Sequence, residues 1–192
     1  MGRGRDVTER RIEVAALVGS LRRQSFNRGL LRTAMLVRPD NMHLYEVPIR
    51  ELPYFNEDLE QGGNPSSVRE FRSQLERADA LLICTPEYSY SVPGVLKNAL
   101  DWASRPAGRS VLRGTPLAIM GASSGRSGTM RAQLHLRQIS LAIGMLPLPE
   151  PEVYITFAGD KFNDQGELTD QTSRDLVKTT MANLAEWTEL LS

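Results

Sequence analysis

Cysteine is almost missing from this 192-residue chain: Cys84 stands alone. One thiol cannot close an internal disulfide or build a cysteine-based zinc cluster. Histidine is nearly as scarce, with only His43 and His135, which leaves little for a His-rich metal site. Each reads as a structural residue, and buried-strand Cys84 as a small core residue rather than a reactive thiol. Net charge is missing too, because Lys and Arg total 23 and Asp and Glu total 23. That balance removes a polyanion binder as the default reading. No apolar run approaches the ~20 residues of a membrane span. Met1–Arg11 (MGRGRDVTERR) has arginines but no apolar stretch, so it does not read as a secretory signal. Asp6 stands where a myristoylation motif wants Ser or Thr. The reading is a cytoplasmic protein, since scarce cysteine fits a reducing compartment.

What is present suffices for one core. The length fits a single domain, and hydrophobic residues make up 41%. Residues 1–11 read as a disordered, solvated tail, and 12–192 as one domain. Strand-like and helix-like segments alternate along it. Ile12–Val18, Met42–Val47, Ala80–Thr85, Pro116–Gly121 and Glu152–Phe157 read as strands. Helical spacing marks Asn27–Val37, Ser66–Arg77 with Ser66 as N-cap, Gly94–Ser104 and Gly128–Ile143. In the last of these Met130, Leu134 and Ile139 are expected inward, with Gly144 as C-cap. Ser173–Leu191 carries Val177, Met181, Leu184, Trp187 and Leu191 on one stripe. Ile49–Pro65 reads as a long irregular stretch, a kind of loop that is often functional.

Five strands alternating with helices imply an α/β, three-layer, doubly wound parallel sheet. Two strand orders fit: flavodoxin-like 2-1-3-4-5, or half of a dinucleotide-binding fold. In either, a ligand sits at the carboxyl ends of the strands, on the loops after strands one, three and four.

The first loop is Gly19-Ser20-Leu21-Arg22-Arg23-Gln24-Ser25-Phe26-Asn27. It leads from a buried strand into a helix, whose N-terminus offers free N–H groups to a phosphate. Ser20, Ser25 and Asn27 add short donors and Arg22 a guanidinium fork. An ordinary capping loop rich in Ser and Asn would look much the same. The loop lacks both G-x-G-x-x-G and the Walker pattern, which leaves a single terminal phosphate as the ligand. The second loop, Thr85 to Gly94, sets Tyr88 and Tyr90 between Pro86 and Pro93. A stiff aromatic segment of this kind can lie along a flat heteroaromatic ring, or simply be a proline-bounded turn. The third, Gly121 to Gly128, has glycines that let the main chain approach a ligand.

Gly19-Ser20-Leu21-Arg22-x-x-Ser25-x-Asn27 resembles the FMN-phosphate loop of the NADPH-dependent FMN reductase family. Thr85 to Trp102 (TPEYSYSVPGVLKNALDW) resembles that family's second signature, closest to its bacterial quinone and chromate reductase branch. The likeness extends through Leu52–Asp58 and Ser123–Gly128. It implies a flavodoxin-like five-stranded sheet of order 2-1-3-4-5, noncovalent FMN, and NADPH or NADH as co-substrate. It also implies a homodimer or dimer of dimers, with Tyr54–Asp58 walling a partner's site. Carried over by position, Ser20, Arg22, Ser25, Phe26 and Asn27 hold the phosphate. Pro86, Glu87, Tyr88, Ser89 and Tyr90 border the ring and ribityl, and Ser123, Ser124 and Gly125 close the other side. The chain departs from the family at Ser89, where the usual Asn has an amide able to bond the flavin's polar edge; weaker FMN retention or a shifted potential follows.

The implied activity is hydride transfer from nicotinamide to FMN N5 and on to quinones, with chromate, azo and nitro compounds suiting the same open face. The flavin carries the chemistry, so no catalytic side chain and no metal are expected. A flavodoxin-like electron carrier is the alternative, although the balanced charge argues against an acidic shuttle. A third is a colourless module that senses a phosphorylated small molecule.

Overall fold

A computed structural model describes residues 10–192. The expected tail therefore lies, up to residue 9, outside the described residues. Six strands were found where five were expected: β1 Ile12–Val18, β2 Met42–Glu46, β3 Ala80–Cys84, β4 Pro116–Ala122, β5 Leu146–Pro147 and β6 Val153–Ile155. The pairing order is β2-β1-β3-β4-β5, all parallel, with β6 also on β4. β5 and β6 are two short pieces of one sheet position. Pro149 and Pro151 between them have no N–H for the ladder, so the edge breaks there.

The helices are α1 Phe26–Val37, α2 Glu57–Gln61, α3 Ser66–Glu76, α4 Gly94–Ala103, α5 Met130–Ile143 and α6 Gln171–Leu190. Three differ from the sequence reading. Pro65, not Ser66, is the N-cap of α3, and no side chain bonds to that end. α2 is a short helix inside the stretch read as irregular, and Asn56 caps it by accepting from the Asp58 N–H. α5 is turned: Met130 and Leu134 face out, 46% and 51% exposed, while Ala132, Gln133, Leu136 and Ser140 are buried. Small residues let α5 lie close to the sheet, and the amide of Gln133 donates to Thr129 Oγ1 and the Val153 carbonyl. In α6, Val177, Met181 and Leu184 are buried as expected, but Leu191 is 40% exposed.

Alternation in the strands sorts the core into two layers. Val14, Ala16 and Val18 of β1 face α1 and α6, against Leu30, Leu31, Val177 and Met181. Ala15 and Leu17 face the other side, against Phe71 and Leu75 of α3 and Leu96, Leu100 and Trp102 of α4. Period-two side chains buried on both faces are what a central parallel strand requires. The order reverses between β1 and β3, which puts the ligand-binding crevice of an open α/β sheet at their carboxyl ends. Cys84, at the end of β3, is fully buried, and that burial pushes its thiol pKa up.

Candidate functional site

Three loops meet at that crevice. After β1 the chain turns back through residues 19–25, with the Gly19 N–H donating to the Cys84 carbonyl at 2.9 Å. Ser20 and Ser25 are buried, at 2% and 5% exposed. Ser25 is the N-cap of α1, accepting from the Arg28 N–H at 3.3 Å. The N–H groups of Arg23, Gln24, Ser25, Phe26 and Asn27 have no acceptor among the described residues. No acidic residue sits in the first turn of α1. This helix end therefore keeps its positive dipole and several open donors. Asn27 borders the same end and also has a bracing task. Its amide donates to the Ala122 carbonyl at 3.0 Å and accepts the Ala122 N–H at 2.9 Å. It ties α1 to the end of β4 and so fixes the distance between the first and third loops.

After β3, Thr85 is fully buried and its N–H donates to the Met120 carbonyl at 3.0 Å. Tyr88 and Ser91 exchange backbone hydrogen bonds of 3.0 and 2.9 Å, closing a tight turn. Its central residues, Ser89 and Tyr90, have φ of 48° and 64°. Neither is glycine, so the turn is strained. The strain is held from outside. Glu87 accepts from the N–H groups of Arg131 and Ala132 and pairs with the Arg131 guanidinium. That guanidinium lies 3.8 Å from the centroid of the Tyr90 ring. His135 adds a contact of 2.9 Å to Ser91 Oγ. Farther on, Asn98 Oδ1 accepts the Phe55 N–H at 2.7 Å, and Trp102 Nε1 donates to the Pro53 carbonyl at 2.8 Å. These helix residues of the second signature anchor the segment around Tyr54, whose ring is 87% exposed.

After β4, Gly121 has no room for a side chain: a Cβ there would stand 2.5 Å from the Thr85 carbonyl oxygen. The Ser123 N–H donates to the Ile155 carbonyl at 3.0 Å, and Ser123 Oγ accepts the Gly125 N–H at 3.0 Å. The Ser124 N–H has no acceptor among the described residues.

Every residue expected to hold the phosphate or to border the ring and ribityl lines one of two adjoining cavities. One of about 110 Å³ is bordered by Ser20, Arg22, Ser25, Phe26, Asn27, Pro86, Glu87, Tyr88, Ser123 and Ser124. The other, of about 260 Å³, is bordered by Ser89, Tyr90 and Gly125 together with Ser127, Gly128 and Arg131. Glu87 and Ser123 border both, so the two form one trench. Its first end has the open α1 N–H groups, two hydroxyls and Arg22, a donor set made for a phosphate. Its second end has backbone N–H groups at Ser89 and Tyr90, with a tyrosine ring alongside. A phosphorylated planar ring with polar edges fits both ends, and FMN has that chemistry.

Arg131 is the residue that the sequence reading missed. A signal was available: an arginine in the first turn of a helix opposes the dipole and asks for an acidic partner. Which acid supplies it is visible only in the fold. Among the described residues no three His, Cys, Asp or Glu side chains cluster to hold a metal.

Fold and trench together define a flavodoxin-like protein with a phosphate end and a ring end. The profile of the NADPH-dependent FMN reductase family matches residues 12–160, and the chain belongs to that family. It is accordingly an oxidoreductase that works with FMN and a reduced nicotinamide. An NAD(P)H-dependent FMN reductase of Pseudomonas aeruginosa is 45% identical over 94% of this chain and 97% of the relative. A 2-hydroxy-1,4-benzoquinone reductase of a Burkholderia species is 41% identical over 92% and 96%. Among solved structures, the flavoenzyme NAD(P)H:(acceptor) oxidoreductase FerB of Paracoccus denitrificans superimposes with a TM-score of 0.86. It is 34% identical and covers 93% of this chain and 98% of its own.

Proposed function

We propose that this chain is an NAD(P)H-dependent reductase of quinones, with FMN in the trench described above. The observation that carries this is the meeting of an unneutralised helix N-terminus and a tyrosine-bounded turn in one trench. When bound, FMN would supply the redox chemistry, as a hydride acceptor at N5 for the nicotinamide and a hydride donor to the quinone. The protein's part is to bind, orient and shield. The open N–H groups of α1, Ser20, Ser25 and Arg22 grip the phosphate. Asn27 sets the width of the trench through its amide and adds its backbone N–H to that grip. The N–H groups of Glu87, Ser89 and Tyr90 have no acceptor among the described residues and are available to the polar edge of the ring. Glu87 moves no proton, because its carboxylate is taken up by α5 and Arg131. Chromate, azo and nitro compounds suit the same exposed face.

The working protein is a cytoplasmic homodimer or dimer of dimers of one folded domain. Tyr54, Met130, Leu134 and Leu141 are apolar side chains between 46% and 87% exposed, and a second copy would cover such groups. Sedimentation should then give at least a dimer.

The test is direct. Purified protein should be yellow, and should oxidise NADPH or NADH rapidly with benzoquinone present. The flavin-stripped protein should not. A colourless protein that never binds FMN contradicts the reading. A yellow one that no nicotinamide reduces makes it a carrier instead.

A further inference from the structure

Beyond the phosphate end of the trench lies a larger cleft, about 450 Å³, between the start of α1 and the segment 159–166. Arg22, Ser25 and Phe26 border both the cleft and the trench, so the cleft continues the trench past the phosphate. Its far wall is already formed. Phe162 and Leu168 pair as a bridge, and Asn163 Oδ1 accepts the N–H groups of Gln165 and Glu167 at 3.1 and 2.9 Å. Arg32 of α1 donates to the Gly166 carbonyl at 2.7 Å. Gly29 makes the approach possible, since a Cβ there would stand 2.4 Å from that carbonyl oxygen.

The cleft has two kinds of lining. Phe26 and Phe162 give an aromatic side, with ring centroids 5.0 Å apart. Arg22, Arg23 and Arg32 face one carboxylate, Asp164, so the formal balance is three minus one, or +2. A single flavin phosphate engages the α1 end and Arg22. Arg23 is left over, with no ionic partner among the described residues. Surplus cation beside aromatic rings, reached from a phosphate, suits a second phosphate that carries a flat base. The reducing nicotinamide is a poor candidate for this place, because it must lie on the ring at the opposite end of the trench.

Resting on the reading that the trench holds FMN, we propose that this cleft receives the AMP half of FAD. The protein then takes FAD as well as FMN, with the diphosphate crossing at Arg22 and the adenine against Phe26 and Phe162.

The experiment is calorimetric titration of the flavin-stripped full chain with FMN, FAD and AMP, for the wild type and for Arg23→Glu. FAD should bind at least as tightly as FMN. The substitution should weaken FAD roughly tenfold more than it weakens FMN. Circular dichroism of Arg23→Glu should match the wild type. FAD binding more than about tenfold weaker than FMN in the wild type overturns the subsite. Equal effects of Arg23→Glu on FMN and FAD overturn it too, as does AMP binding that FAD does not share. If neither flavin binds, the flavin reading itself fails and the subsite with it.

Discussion

Helices α1 and α5 both begin beside the carboxyl ends of the strands that carry the trench, and their first turns are treated in opposite ways. At α5 the protein supplies its own anion: Glu87 reaches from the second loop and accepts the Arg131 and Ala132 N–H groups at 3.0 and 3.3 Å. At α1 the cap is a neutral serine, and five successive N–H groups have no acceptor among the described residues. A third helix, α6, resembles α5 in carrying an acid, Asp170, which bonds the Ser173 hydroxyl and N–H. Those bonds hold the Asp170 carboxyl below its ordinary pKa of 3.8. Its stabilisation is therefore full above that value and is lost as pH falls through the lower folded one. A helix that is closed by its own carboxylate is structural. Of the two ends beside the trench, the open one is where an outside anion gains most, because desolvated N–H groups without partners are costly.

The contrast can be broken by giving α1 what α5 has. Ser20→Asp puts a carboxylate beside the open N–H groups in a buried position. FMN affinity, followed by fluorescence quenching, should fall about 100-fold or more while the fold survives. The reverse change, Glu87→Ala, removes the anion from α5 and releases Arg131. Urea unfolding should show about 2 kcal/mol less stability. FMN affinity should drop less than in Ser20→Asp, because the phosphate end is untouched. Arg22→Ala takes one charged donor from the mouth of the trench. FMN should bind roughly tenfold more weakly, with an unchanged circular dichroism spectrum. The smallest effect concerns the strained turn that Glu87 steadies. Ser89→Asn suits a left-handed backbone better than Ser, so stability should rise by about 0.5 kcal/mol. FMN should be retained more strongly, since the amide adds a donor.

Much of this was legible in advance, for identifiable reasons. β3 is apolar at every position and β1 at all but Glu13, and their pairing at the point where the strand order reverses located the trench. Loop composition then named residues that the fold does bring to it. What stayed hidden depends on tertiary contact. The spacing of Met130 and Leu134 looked inward, but α5 packs through Ala132, Leu136 and Ser140 because small residues let it approach the sheet. Asn27 was expected at the phosphate by type; that its amide also braces Ala122 is visible only in the fold. Glu87 was expected at the border of the ring; that its carboxylate also caps α5 shows only once the fold brings α5 within its reach. The break between β5 and β6 follows from Pro149 and Pro151, both visible in the sequence ahead of the single strand expected at Glu152–Phe157. The hairpin beyond Phe162, which builds the arginine cleft, had no sequence signal that set it apart from an ordinary connection.

The central claim is that the open end of α1 recognises a phosphate. It is tested most directly by titrating the flavin-stripped protein with FMN and with riboflavin, which differ by that phosphate alone. FMN should bind at least about 100-fold more tightly, and the difference should shrink sharply in Ser20→Asp. Equal affinity for FMN and riboflavin in the wild type would contradict the account.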